Sequence, residues 1–352
     1  MSTKNDTMKR SILQQILKPV CQALAACGMF CAAMIPAKGQ VPDFEVLSRK
    51  KMPENKMVLG WSQNVVGTYG MLKTGGKNKF NVTIAAGTFN IDALTYIEHA
   101  AKADRIITYG DDVEKHVVTN AFVKIYSGNG RLIKSLGLVA YFPFVATVAE
   151  NGDFIIAGNK YFDKPQKVLL CYDKNGNKIW ERNLPDRMPS KIFVDANRKY
   201  IALFSIKPGD LGGNVSYFNA QGNPLLTDNE QASVSAIEFL TAGKVVVATG
   251  RQWALYLLNG AYKKLGEGRL EGNVIGQFPV TAHPEKNTFY IVSTSANQGY
   301  QLQAFDADNG QIKAKANFGG QPYWQNYRMA NVELGKVSLI TDREIIELRM
   351  KQ

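Results

Sequence analysis

The sequence reads as an all-β chain: a β-propeller whose repeat spacing fits seven four-stranded blades, with six or eight also compatible, closed by an N-terminal strand. Three observations predict this. Apolar residues fall in short alternating or continuous runs broken by Gly, Asn and Asp, with almost no helical periodicity. A strand, glycine turn and second strand recur at 121–136, 167–184, 214–226, 253–267 and 300–318, with a degenerate copy at 66–84. A further short apolar strand precedes each hairpin, and seven such strands start 44 to 49 residues apart, beginning at residues 56, 105, 153, 199, 244, 288 and 336. Four strands per 40 to 50 residues is the spacing of a propeller, in which one blade cannot bury both of its faces alone and radial stacking covers them.

The turn glycines fall at Gly76, Gly130, Gly176, Gly222, Gly260 and Gly310, separated by 54, 46, 46, 38 and 50 residues. Gly or Asn in a tight hairpin supplies the positive φ that other residues resist. The last repeat, ending in Arg343-Glu-Ile-Ile-Glu-Leu-Arg349, offers three strands and no fourth. An unpaired edge there would invite association with other chains. The segment 43–50 (DFEVLSRK) is the natural donor, and it would tie both ends of the domain into one blade.

Ahead of that strand, residues 1–39 read as a secretory signal and 40–352 as a single propeller domain. Met8-Lys9-Arg10 opens a basic stretch that runs to Lys18, an apolar run follows from Val20 to Ile35, and Ala37 and Gly39 fit the −3 and −1 positions of a cleavage site that leaves Gln40 first. A second reading is a lipobox at Leu24-Ala25-Ala26-Cys27, with a lipid anchor on Cys27; the apolar run continues past that cysteine, which favours ordinary cleavage. Both readings mean export to the periplasm, the cell surface or the medium. Three of the four cysteines (Cys21, Cys27, Cys31) lie in this leader, so the mature chain holds only Cys171, which alternates with strand residues and is expected to be a buried small hydrophobe.

Apolar residues make up 45% of the chain and charged residues 20%, ordinary globular usage that excludes bulk disorder. Lys and Arg exceed Asp and Glu by 42 − 30 = 12, and removing the leader leaves 37 − 29 = +8. The basic residues are spread along the chain and form no run, which fits lysines guarding strand edges and argues against a nucleic-acid partner.

At Tyr172–Trp180 (YDKNGNKIW) and Ala304–Ala314 (AFDADNGQIKA) the chain resembles the quinoprotein-like (PQQ-like) β-propeller repeat family. Asp173, Gly176 and Trp180 match the repeat in one copy, Asp306 and Gly310 in another. The resemblance implies the architecture over residues 43–352 and little about activity. Quinone-cofactor dehydrogenases of this fold carry neighbouring cysteines that a one-cysteine mature chain lacks, so no cofactor is expected. His99, His116 and His283 have no ligand spacing, so no metal is expected either. Asp306-Ala-Asp308-Asn309-Gly310 looks faintly like a calcium loop but reads better as a hairpin turn. Nucleophile-elbow, P-loop and dinucleotide fingerprints are absent, and no catalytic residue is assigned.

In a propeller, the connections from second to third strand and from one blade to the next share one end of the sheets. Here these connections, at 110–118, 158–166 and 205–213, are longer than the hairpin turns. They and the blade-to-blade links hold Tyr161, Phe162, Arg187, Arg251, Tyr323 and Trp324, residue types enriched at interfaces. The expected function is an exported, non-catalytic scaffold that binds an envelope protein or polysaccharide through this end. The alternative is a glycoside hydrolase or lyase that acts on an anionic polysaccharide through channel carboxylates.

Overall fold

The structure is a computed structural model that describes residues 44–51, 57–59, 67–74, 77–112, 120–161, 163–164, 166–206, 212–228, 233–258, 262–274, 280–283, 287–295, 299–318, 328–333, 336–340 and 344–351. The leader, Gly76, Gly260, Phe162, Tyr323 and Trp324 lie outside them.

The described strands follow one another in chain order. β1 (Phe44–Lys51) stands apart from the first sheet, which holds β2 (Met57–Leu59), β3 (Gly67–Thr74), β4 (Lys77–Ile84) and β5 (Gly87–Asp92). A seven-stranded sheet follows: β6 (Leu94–Ala100), β7 (Arg105–Asp112), β8 (Asn120–Ser127), β9 (Leu132–Val148), β10 (Phe154–Asn159), β11 (Lys167–Tyr172) and β12 (Lys178–Asn183). It divides at β9, which pairs with β8 over Leu132–Tyr141 and with β10 over Tyr141–Val148. The halves β6–β9 and β9–β12 are the second and third four-stranded units. The fourth is β13 (Met188–Val194), β14 (Tyr200–Ile206), β15 (Gly213–Asn219) and β16 (Pro224–Asp228). The fifth is β17 (Ala236–Phe239), β18 (Lys244–Thr249), β19 (Gln252–Leu257) and β20 (Lys263–Arg269). The sixth is β21 (Val280–His283), β22 (Thr288–Ser295), β23 (Gly299–Asp306) and β24 (Ile312–Phe318). The last sheet is β25 (Arg328–Glu333), β26 (Lys336–Ile340) and β27 (Glu344–Met350), with β1 as its fourth strand. β1 runs antiparallel to β27, with Phe44 opposite Met350 and Lys51 opposite Glu344.

The core is a series of layers between consecutive units. Six buried clusters among the described residues each join one unit to the next. The second strand of a unit feeds both neighbours, because successive side chains point to opposite faces. On β14, Ile201 and Leu203 enter the cluster shared with the third unit, while Ala202 and Phe204 enter the one shared with the fifth. On β22, Phe289 and Ile291 face the fifth unit, while Tyr290 and Val292 face the last. Burial on both faces is why these strands read as continuous apolar runs rather than as alternation. Cys171 is fully buried in the layer between the third and fourth units, as its strand pattern suggests, and burial pushes its thiol up to about 12.

The turn between third and fourth strands is built by one side chain. Asp173 Oδ1 accepts from the backbone N–H of Asn175 (2.9 Å) and Asn177 (2.8 Å). Asn219 Oδ1 accepts from Gln221 (3.0 Å) and Asn223 (2.9 Å), and Asp306 Oδ1 from Asp308 (2.8 Å) and Asn309 (3.2 Å). The Asp of the repeat is thus an Asx turn. The segment Asp306–Gly310 is such a hairpin turn, its acids also held by Lys313 (2.9 Å from Asp306) and by Lys244 at Asp308.

Two assignments in the first repeat need correction. Met57–Leu59 is the first strand of its sheet, and the second strand is Gly67–Thr74. Gly76 therefore lies between second and third strands, and the turn equivalent to Gly130 falls at Gly87, between β4 and β5. The second and third units are joined without a loop, because β9 runs unbroken through Tyr141-Phe142.

Candidate functional site

Because the strands of each unit are antiparallel, the connection after the second strand and the link to the next unit leave from the same end. Tyr161 follows β10, Arg187 lies between β12 and β13, and Arg251 is in the turn between β18 and β19. All three emerge from that end, Tyr161 and Arg187 from the third unit and its link to the fourth, Arg251 from the fifth.

Tyr161 is 42% exposed, one of nine large apolar side chains that stand in solvent among the described residues. Its loop is braced from below. Lys160 Nζ donates to Glu181 Oε1 at 2.5 Å and stands 5.8 Å from the Tyr161 ring centre. The Lys160 backbone N–H donates to the Gln166 carbonyl (2.8 Å), and Gln166 Nε2 reaches Asn183 Oδ1 (2.9 Å). Lys167 Nζ donates to Asn159 Oδ1 at 2.5 Å and approaches Asp186 Oδ1 at 4.0 Å. These contacts tie the 159–167 loop to the link that carries Arg187. Glu181 is held below its ordinary value by Lys160 and Lys178. Arg251 is exposed, but its Nε donates to Asn273 Oδ1 (3.1 Å) and its carbonyl accepts from Leu270 N–H (2.7 Å), so it has a structural tether as well.

A second feature at this end escaped the sequence. A cleft of about 340 Å³ opens on the fifth unit, lined by Val247, Thr249, Gln252, Trp253, Ala254, Tyr256, Lys264, Glu267, Gly268 and Arg269. Cross-strand register makes it: Thr249 pairs with Gln252 and Gln252 with Arg269, Val247 pairs with Ala254 and Ala254 with Glu267, and Tyr256 pairs with Lys264.

The carboxylates at the other end of the inner strands are mostly committed. Glu150 pairs with Lys102, Asp153 with Arg198 Nε (2.7 Å), and Asp195 Oδ2 accepts from the N–H groups of Asn197 (3.2 Å) and Lys199 (2.9 Å). Glu238, on β17, is pushed up to about 8 by burial and by the charges of Asp195 and Glu150, against a backbone N–H bond from Ala282. Among the described residues no three His, Cys, Asp or Glu side chains are grouped to hold a metal ion, and no helix is long and apolar enough to cross a membrane.

No protein-family model and no curated protein sequence matches the chain. Solved structures do. The C-terminal WD40 domain of Sif2 aligns at a TM-score of 0.51 with 10% identity, over 89% of this chain and 100% of that one. Chaetomium thermophilum Raptor aligns at 0.59 with 10% identity, over 88% of this chain and 30% of that one. KlAtg21, solved in complex with the coiled coil of AgAtg16, aligns at 0.62 with 9% identity, over 85% of this chain and 95% of that one. At these identities the likeness shows the fold alone, a β-propeller; no quinoprotein-like family is shown by it.

Proposed function

We propose that the chain is an exported, non-catalytic scaffold, a ring of seven blades closed by β1, which holds an envelope protein or polysaccharide on the end of its sheets that carries Tyr161 and Arg187. The observation that carries this reading is the braced loop under an exposed aromatic: Tyr161 stands 42% in solvent over the Lys160–Glu181 pair. A rigid, amphipathic anchor of this kind contributes contact area at low entropic cost. One fold neighbour, KlAtg21, was solved holding a coiled coil of another protein, which supports a partner-binding role for the architecture. Export is supported by the basic and apolar leader over residues 1–39.

Replacing Tyr161 and Arg187 with Ala, singly and together, tests the surface. Capture of the native envelope partner should weaken at least about tenfold for the pair, with an unchanged melting curve. Undiminished capture would place the interface elsewhere. Intact mass of the protein from its own host tests export: loss of residues 1–39 is expected, and a retained leader would contradict it.

A further inference from the structure

We propose that the cleft on the fifth unit is a binding site for a hydroxylated carboxylate of one or two sugar units, a uronate in chemical class. The hollow exists because Ala254 sits between two long neighbours on the same face, Gln252 and Tyr256, so that its methyl group forms a low floor. Around that floor stand Arg269 and Glu267 on β20 and Thr249 on β18.

The charges select the ligand. Among the described residues Arg269 makes no ion pair, and a planar guanidinium binds a carboxylate through two parallel hydrogen bonds. Lys264 is held by Glu267 (2.8 Å) and lies over the Tyr256 ring (5.9 Å), which fixes its position at the cleft wall. Two cations and one anion leave a single positive charge, which a monoanion neutralises and a phosphate dianion would overshoot beside Glu267. Thr249, Gln252 and Glu267 add hydroxyl, amide and carboxylate groups, which reward a ligand rich in hydroxyls and give nothing to an apolar one. At about 340 Å³ the cleft lies at the small end of ligand sites. It lies off the inner strands and is independent of the partner-binding reading.

Titration calorimetry of the full chain decides it, with glucuronate, a disaccharide carrying a single uronate, the matching neutral disaccharide and inorganic phosphate as probes. The uronates should bind at least about tenfold tighter than the neutral sugar and than phosphate. Arg269→Gln, which keeps a polar end on a shorter stem and removes the charge, should lose about tenfold in uronate affinity. Ala254→Leu, which fills the floor, should abolish binding, with both melting curves within a few degrees of wild type. Phosphate bound as tightly as uronate, equal affinity for the neutral sugar, no uronate binding at all, or full binding by both variants would each overturn the proposal.

Discussion

The ring of Trp180 covers Gly222 so closely that a β-carbon on that glycine would stand 2.8 Å from Cε3. The indole Nε1 also donates to the Ala220 carbonyl at 2.9 Å, so the third unit's outer strand grips the fourth unit's turn. Gly222 further holds a φ of +72°, which an L side chain rarely adopts. A tryptophan also covers the sixth unit's turn, where a β-carbon on Gly310 would stand 2.5 Å from Trp253 Cη2, but that ring comes from the third strand of its unit, β19. Trp180 and Gly222 are therefore the two halves of one contact between the third and fourth units.

Gly222→Ala should cost about 2–4 kcal/mol in a denaturant titration, because steric and backbone penalties coincide. Gly250→Ala is the control: its φ is +53° but no atom lies within 4 Å of the added carbon. That change should cost about 1 kcal/mol, the backbone penalty alone. Equal costs would mean that Trp180 moves aside freely.

The β1–β27 pairing gives a second prediction. Phe44 is 1% exposed, packed with Tyr290 (6.4 Å between ring centres) in the layer between the sixth unit and the last sheet. Phe44→Ala should lower stability by about 3–5 kcal/mol. Deleting residues 41–50 should lower the thermal midpoint more and promote aggregation through the bared edge of β27. An unchanged melting curve would mean that the domain holds without this strand.

Glu238 sets a pH dependence whose sign follows from its shift. Its carboxyl has an ordinary value of 4.5 unfolded and about 8 folded. The folded state therefore binds more protons than the unfolded state between these values. Its contribution to stability is full below about pH 4.5, declines as the pH rises toward 8, and is lost above that. Glu238→Gln keeps an acceptor for the Ala282 N–H and removes the charge. It should raise stability at pH 9 by on the order of 2 kcal/mol, a figure discounted for the partial exposure of that side chain, and change little at pH 4. Parallel stability curves for the two proteins would contradict the shift.

The second strands were legible because burial on both faces leaves a continuous apolar run such as Val245–Ala248, and the closing strand because the last repeat offers three strands and no fourth. The first repeat was misread for the complementary reason. β3 reads GTYGMLKT, with few apolar residues, so the apolar Met57–Leu59 took its place and Gly76 took the place of Gly87. β9 was not legible as one 17-residue strand, because Gly137 and Pro143 within it carry turn signals. That Tyr161, Arg187 and Arg251 fall in connections after second strands or between units is readable from strand order alone. The cleft was invisible, since Thr249, Gln252, Ala254, Glu267 and Arg269 meet only through the register of three strands. The alternation of Gln252, Ala254 and Tyr256 was the one signal present, a small residue between two long ones on a single face.

The central claim is that a partner is held at the end of the sheets carrying Tyr161 and not at the end carrying the tight turns. Photo-crosslinking in the native host tests it most directly, with a benzophenone side chain placed at Tyr161 in one strain and at Ile312 in another. Ile312 is 60% exposed beside the Asp306–Gly310 turn at the opposite end, so both positions are open to a neighbour. The account predicts a discrete, saturable adduct from position 161 and none from 312. An adduct from 312 alone, or equal adducts from both, would contradict it.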